Sequence, residues 1–220
     1  METIKQLRRK VQPRPVNKLD KYFHRFISIY ITKIFILLNL TANQITILWI
    51  LTGVISAFFF LQGSYLFSLI GALILLLSFI LDFSDGEVAR YHKKTSINGY
   101  YLDCIGHFIV VSSVIITISF ALFYKFNSLI FLIFGFTTSI SLLLIRMAST
   151  EKYEVLQETK TKPKRTKKQS KSELIVLSNP VYLILISSIL NLLPLLISLY
   201  GIFLPILFIR KLYKEFKYGF

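Results

Sequence analysis

Apolar residues come in long blocks along this chain, separated by short polar turns rather than arranged in an alternating pattern. The blocks of spanning or near-spanning length are residues 45–61, 65–83, 97–123, 128–144, 174–192 and 194–209. A transmembrane helix needs roughly 20 mainly apolar residues and satisfies its own backbone hydrogen bonds in lipid. The pattern therefore predicts an all-α polytopic membrane protein with six transmembrane helices.

The segment before the first block is apolar but carries charges. Residues 23–40 include Arg25 and Lys33, and a central lysine is costly inside a bilayer. We therefore predict an interfacial amphipathic helix that precedes the six spans, with a tilted spanning helix as the alternative. Residues 1–26 are polar and basic, and their two prolines disfavour a helix there.

These patterns divide the chain into one membrane domain with basic extensions. Residues 1–40 form a basic cytoplasmic N-terminus with the interfacial helix, residues 41–213 form the six-helix membrane domain, and residues 214–220 form a cytoplasmic tail. The charged run at 151–172 is predicted to be a solvated cytoplasmic linker within that domain.

The basic charge falls on one side of the predicted topology. The chain has 26 Lys and Arg residues against 11 Asp and Glu, a net charge of +15. Lys125 alone of these basic residues lies opposite the termini, when Lys33 is counted with the interfacial helix. Basic residues accumulate in cytoplasmic loops, so we expect both termini on the cytoplasmic side of the membrane. The membrane accounts for the charge, and we expect no nucleic-acid partner.

The ionic residues at membrane depth form the candidate site. Four of the 11 acidic residues lie in or beside the second and third blocks, and they are Asp82, Asp85, Glu87 and Asp103. Asp82 and Asp85 share one helix face, and Asp103 shares another with His107. The short loop between the blocks predicts antiparallel neighbours whose two faces converge near the cytoplasmic surface. Clustered carboxylates repel one another unless a cation neutralises them, and their hard oxygens suit Mg²⁺ or Mn²⁺.

The small and basic residues of this stretch favour phosphoryl chemistry. Gly86 and Gly99 remove side chains where a ligand or a facing backbone approaches. Arg90 offers a planar fork of donors that suits phosphate. Together with carboxylates and a divalent cation, these residues indicate phosphoryl transfer.

The same stretch resembles the signature of the CDP-alcohol phosphatidyltransferases, D-x2-D-G-x2-A-R-x8-G-x3-D-x3-D. The matching residues are Asp82, Asp85, Gly86, Ala89, Arg90, Gly99 and Asp103, and His107 stands where the family has its last aspartate. Residues 41–46 also resemble the usual approach to the first span of that family. The resemblance implies six spans after an interfacial helix, a cytoplasmic active site and a homodimer.

The resemblance also implies roles for these residues. Asp82, Asp85 and Asp103 would hold two Mg²⁺ or Mn²⁺ ions with His107 beside them, and substrate would lie against Asp85, Gly86, Ala89, Arg90 and Gly99. Gly86 and Ala89 would make room for cytidine, and Arg90 would contact the diphosphate. The reaction implied is transfer of a phospho-alcohol group, from a donor such as CDP-diacylglycerol to an acceptor hydroxyl with release of CMP, in phospholipid biosynthesis.

Several residues keep two interpretations. His107 is a general base or a metal ligand, and it is also the reason to consider a catalytically silent scaffold of the same fold. Arg146 is an ordinary cytoplasmic basic residue or an anchor for a phosphorylated acceptor or an anionic lipid. Glu87 is interpreted as a solvated loop residue, His24 as a headgroup-level residue, and Thr46 as a capping residue. A transporter of metal ions or small solutes is the alternative function, although transporter sites lie nearer the midplane.

Overall fold

A computed structural model describes residues 3–12, 23–158 and 180–218, and its regular elements there are all helices. In chain order they are α1 (Ile4–Val11), α2 (Arg25–Leu37), α3 (Ala42–Leu61), α4 (Tyr65–Tyr91), α5 (Ile97–Phe126), α6 (Ile130–Glu158), α7 (Pro180–Ile189) and α8 (Leu193–Tyr218). The all-α prediction is confirmed.

Short polar turns end and restart these helices, as the sequence pattern predicts. Thr41 begins α3 with a capping box, in which its hydroxyl and the Gln44 side chain satisfy each other's backbone amides. Ser64 and Ser96 cap α4 and α5 in the same position, each accepting from an amide three residues on. Asn127 ends α5 in the left-handed region at a φ of 48°, which turns the chain back into α6.

Five helices are long and apolar enough to cross a membrane. They are α3, α4, α5, the part of α6 from Ile130 to Ala148, and the part of α8 from Leu193 to Tyr213. The predicted fifth span overlaps α7, which is apolar and has 10 residues, while residues 174–179 lie outside the described chain. The polytopic membrane class is thus confirmed, and the count of six spans remains approximate.

The long helices pack as a ring. Following contacts around it, α3 packs on α5, α5 on α6, α6 on α8, α8 on α7, α7 on α4, and α4 on α3 again. Although α4 and α5 follow each other in sequence, each packs mainly against α3 and far less against the other. The second and third apolar blocks, which were expected to pack directly against each other, are therefore connected mainly through α3.

The N-terminal helix α2 lies outside the ring against α4. It has 13 residues, which at 1.5 Å each is about 20 Å, too short for a hydrocarbon core of about 30 Å. Phe26, Tyr30 and Ile34 are exposed on its outer face, whereas Ser28 and Thr32 are buried on its inner face. The length and the apolar outer face favour the interfacial interpretation over the spanning one.

The helix α1 was not expected, since residues 1–26 read as non-helical. Thr3 begins it with a second capping box, and the helix ends at Val11, before the prolines. Leu7 and Val11 are buried against Ile29 of α2, so tertiary packing stabilises a helix of only eight residues.

The predicted linker at residues 151–172 overlaps the end of α6, which continues to Glu158. Residues 159–172 of that linker lie outside the described chain.

Candidate active site

Asp82, Asp103 and His107 converge at one end of the ring. One ligand atom from each of them lies within 4.8 Å of the other two. The Nε2 atom of His107 is 3.6 Å from Oδ2 of Asp82, and its Nδ1 atom is 3.5 Å from Oδ1 of Asp103. All three side chains are partly buried, with 17 to 29% of each exposed. Side chains of α4 and α5 thus meet here, although the close backbone contacts of both helices are mainly with α3.

Helix geometry explains this convergence. Asp82 lies near the end of α4, and Asp103 and His107 lie one turn apart near the beginning of α5. The Nδ1 atom of His107 is 3.1 Å from the backbone carbonyl oxygen of Asp103. If the ring proton is on Nδ1, it pairs with that carbonyl and the Nε2 lone pair is directed toward Asp82. This tautomer is the one that a metal ligand or a general base at Nε2 requires.

Asp85 lies one turn beyond Asp82 and is not part of the three-residue cluster. Its Oδ2 atom accepts hydrogen bonds from the Thr46 hydroxyl at 2.8 Å and the Trp49 indole N–H at 3.0 Å. Both donors come from α3, so the first long helix fixes the orientation of this carboxylate. Thr46 is therefore not a capping residue as interpreted above, because Thr41 and Gln44 fill that role.

Trp49 contacts both Asp85 and His107. It is 2% exposed, and its ring meets the His107 ring edge-on with centroids 4.9 Å apart. The Ser78 hydroxyl of α4 donates to its backbone carbonyl at 2.7 Å, which ties α3 to α4 at this level. Sequence reasoning missed this residue. The available signal was a single tryptophan placed three residues after Thr46, on the same helix face.

Gly86 and Arg90 lie together at the end of α4. A Cβ atom on Gly86 would lie 3.1 Å from Nη1 of Arg90, so the absent side chain leaves room for the guanidinium. Arg90 is exposed, and its Nε–H donates to the Val11 carbonyl at 2.5 Å. Ala89 beside it is half-buried. The space that the sequence assigned to cytidine at Gly86 is thus shared with the guanidinium in this structure.

Gly99 lies at the other side of the site, in the first turn of α5. A Cβ atom there would lie 3.2 Å from the Ser96 hydroxyl and 3.3 Å from the Asn43 side-chain oxygen. The glycine therefore permits a close approach between the beginning of α5 and the beginning of α3.

Arg146 comes from α6, opposite α4 in the ring. Its positive charge is close enough to interact with Asp103 and with His107. The Arg146 guanidinium therefore lies at the edge of the cluster of Asp82, Asp103 and His107.

Two residues lie where the sequence reading did not put them. Glu87 is 1% exposed within α4, not in a solvated loop. His24 is 4% exposed and is stacked on Phe83 with ring centroids 5.1 Å apart, so its ring is buried between helices. Glu87 faces α1 and α2, whereas the His24 ring faces α4 and α7, and a linear pattern of hydrophobicity does not reveal such packing.

The donor set of the cluster fits a divalent cation. Two carboxylates and one imidazole converge at partial burial, and uncompensated carboxylates at such depth would repel one another. Oxygen and imidazole ligands together suit Mn²⁺, and carboxylates alone suit Mg²⁺. The residues that would hold a cation are Asp82, Asp103 and His107, with Asp85 one turn away.

Comparisons with known proteins agree with this chemistry. A family model described as CDP-alcohol phosphatidyltransferase matches residues 39–209, which is well over half of the chain. The match includes α3 to α7, most of α8 and every residue of the cluster. No curated protein matches the chain.

Proposed function

The chain belongs to the CDP-alcohol phosphatidyltransferase family, and we propose that it transfers a phospho-alcohol group from a CDP-alcohol to an acceptor hydroxyl, releasing CMP. The family implies phosphatidyl transfer in lipid synthesis, and CDP-diacylglycerol is the donor that we propose first. The observation that carries the proposal is the convergence of Asp82, Asp103 and His107 inside the matched region.

We propose that Asp82, Asp85 and Asp103 hold Mg²⁺ or Mn²⁺, two ions in all, with His107 beside them and its Nε2 atom left without a metal bond. Bound cations would neutralise the donor diphosphate and stabilise the charge that develops on the leaving phosphate. Asp85 supports this role because Thr46 and Trp49 both bind its Oδ2 atom, which holds the carboxylate in one orientation. Asp85 lies one turn from Asp82 on the same helix face, a position that suits a carboxylate ligand shared by the two proposed metal ions.

His107 is the proposed general base. The acceptor oxygen forms a bond to the phosphorus distal to cytidine, and the bond from that phosphorus to the CMP oxygen breaks. The acceptor proton passes to Nε2 of His107, the nitrogen that the Nδ1 contact with the Asp103 carbonyl leaves available. The protonated imidazole then lies against Asp82, whose carboxylate stabilises the positive charge.

The remaining site residues are proposed to hold substrate. Arg90 would bind the donor diphosphate, and Gly86, Ala89 and Gly99 would leave room for the nucleotide. Arg146 would bind an anionic group of the acceptor or of a lipid, since its charge lies beside the cluster on a third helix. Anionic ligands at this edge would be attracted by both arginines.

We also propose the setting in which this chemistry occurs. The chain would be a homodimer in a bacterial or archaeal cytoplasmic membrane, with the termini and the site facing the cytoplasm. The distribution of basic residues supports the orientation, and the family supports the dimer.

The test is release of CMP by the purified protein in detergent or in liposomes. CDP-diacylglycerol and other CDP-alcohols are offered with a panel of acceptors, and the lipid products are identified by mass spectrometry. We expect release that needs Mg²⁺ or Mn²⁺, that stops with a chelator, and that falls at least about a hundredfold in Asp103→Ala. Thr52→Ala, a change on an outward part of α3, is the matched control.

Absence of CMP release from every donor would contradict this function. If cations still bound at the cluster, a catalytically silent scaffold would become the better interpretation. The presence of His107 in place of the family's last aspartate is already a reason to consider that alternative. Cation flux into sealed liposomes without CMP release would instead favour a transporter.

A further inference from the structure

The N-terminal helix α1 reaches the signature segment of α4 through polar contacts. Gln12, the residue that ends α1, donates from Nε2 to Oε1 of Glu87 at 2.7 Å, and the same nitrogen donates to the Arg25 carbonyl at 2.7 Å. One residue earlier, the Val11 carbonyl accepts from Nε of Arg90. Both contacts fall on residues between Asp85 and the end of α4.

Glu87 is the buried centre of this connection. Its oxygens also accept from the Ser28 hydroxyl at 2.7 Å and the Thr32 hydroxyl at 2.6 Å, both on α2. A carboxyl group that is 1% exposed is costly unless its oxygens are satisfied, and here three side-chain donors satisfy them. The contacts therefore fix α1 and α2 to α4 at one defined point.

The contact at Val11 acts on the guanidinium of Arg90. The last carbonyls of a helix have no partner within the helix and carry partial negative charge, so they attract a cation. Val11 is fully buried, which keeps its carbonyl in place, and the charges of Glu87 and Asp85 also act on Arg90. With Nε held in this way, Nη1 and Nη2 lie 3.1 and 3.4 Å from where a Cβ atom on Gly86 would be, and the Arg90 side chain as a whole is exposed.

We propose that residues 3–12 are a positioning element of the active site. The Val11 carbonyl holds Arg90 in the orientation that binds the diphosphate of a CDP-linked donor, and Gln12 keeps that carbonyl in place by fixing the end of α1 to Glu87. This inference rests on the proposed function only for the class of donor. It assigns a role in substrate binding to a helix that precedes the region matched by the family.

The experiment measures CDP binding without turnover. Trp49 is the single tryptophan of the chain and lies in the site, so its fluorescence reports a titration with CDP in the presence of Mg²⁺. Gln12→Ala is expected to weaken CDP binding by roughly three- to tenfold, since it removes the hydrogen bond to the Glu87 carboxylate that fixes the end of α1, and with it the Val11 carbonyl, beside Arg90. Lys5→Ala is the control, because it truncates an exposed side chain on the same helix and leaves the capping box of Thr3 and Gln6 intact.

A second set of variants separates positioning from general stability. In an Arg90→Ala background, Gln12→Ala and removal of residues 1–12 are expected to cause no further loss of CDP binding. In steady-state assays, Gln12→Ala is expected to raise the KM for the donor and leave kcat within about twofold. Equal losses in both backgrounds, or a fall in melting temperature with unchanged CDP affinity, would overturn the proposal.

The outcomes also distinguish this proposal from the proposed reaction. CDP binding that depends on Gln12, without CMP release from any donor, would support the positioning role and contradict the reaction. CMP release with CDP affinity unchanged by Gln12→Ala would support the reaction and contradict the positioning role. No response to CDP at all would overturn the inference together with the donor class.

Discussion

His107 has an arrangement that favours chemistry over simple packing. Its Nδ1 atom faces a carbonyl of its own helix, and its Nε2 atom faces Asp82 on another. We expect His107→Ala to lower kcat by about a hundredfold or more, since a general base typically contributes that much. His107→Asp, which restores the usual residue of the family signature, is expected to keep part of the activity. Near-normal turnover of His107→Ala would show that the base lies elsewhere.

Trp49 offers a second prediction at the scale of one side chain. Trp49→Phe keeps an aromatic ring against His107 but removes the N–H that binds Asp85. We expect weaker binding of the activating cation, by roughly tenfold, because metal ligands lose affinity when their supporting hydrogen bonds are removed. Thr46→Val should act in the same direction, since it removes the other donor to the same oxygen. The check is the Mg²⁺ or Mn²⁺ concentration that gives half-maximal activity.

Sequence spacing predicted part of this site, because spacing along a helix fixes which side chains share a face. Asp82 was separated from Asp103 and His107 by a short loop, and the structure brings these three together. Thr46 and Trp49 were missed because their contacts with Asp85 run between helices, 39 and 36 residues apart in sequence. Glu87 was misread for the same reason, since its partners lie on α1 and α2.

At the scale of helices, glycines set how closely α3 approaches its neighbours. A Cβ atom on Gly53 would lie 2.5 Å from Val110 of α5 and 3.0 Å from the Ser78 hydroxyl of α4. We expect Gly53→Ala to destabilise the protein by about 1 to 3 kcal/mol through overpacking. The measurement is thermal unfolding in detergent. Val110→Ala removes the atoms that would clash, so Gly53→Ala should destabilise the Val110→Ala variant much less than it destabilises the unmodified protein. Equal destabilisation in both backgrounds would contradict this packing.

The helices themselves were predictable wherever hydrophobic length decided the outcome. Long apolar blocks with Thr41, Ser64 and Ser96 before them became α3, α4 and α5. The helix α1 was not predictable in this way, because its stability depends on burying Leu7 and Val11 against elements distant in sequence. The joining of α4 to α5 through α3 was equally hidden, since hydrophobic blocks carry no information about which helices touch.

At the scale of the whole molecule, charge distribution predicts orientation. The site and the exposed loop residue Lys94 lie at one end of the ring, and Gln62 lies in a turn at the other end. In a Cys104→Ser background, we expect Gln62→Cys to react with a membrane-impermeant maleimide on intact cells. Lys94→Cys is expected to react only after the membrane is opened. The reverse labelling pattern would place the site outside.

The placement of Asp82 and Asp103 on different helices has a thermodynamic consequence. A cation held by both would cross-link α4 and α5, whose close backbone contacts are mainly with α3 rather than with each other. A ligand that binds only the folded protein stabilises it by about 2.7 kcal/mol at a hundred times its dissociation constant. The melting temperature should therefore rise with Mn²⁺ concentration and should not rise in Asp103→Asn. The ion that activates the substrate would also hold the ring closed, so that depletion of the metal would lower the stability of the fold as well as its activity.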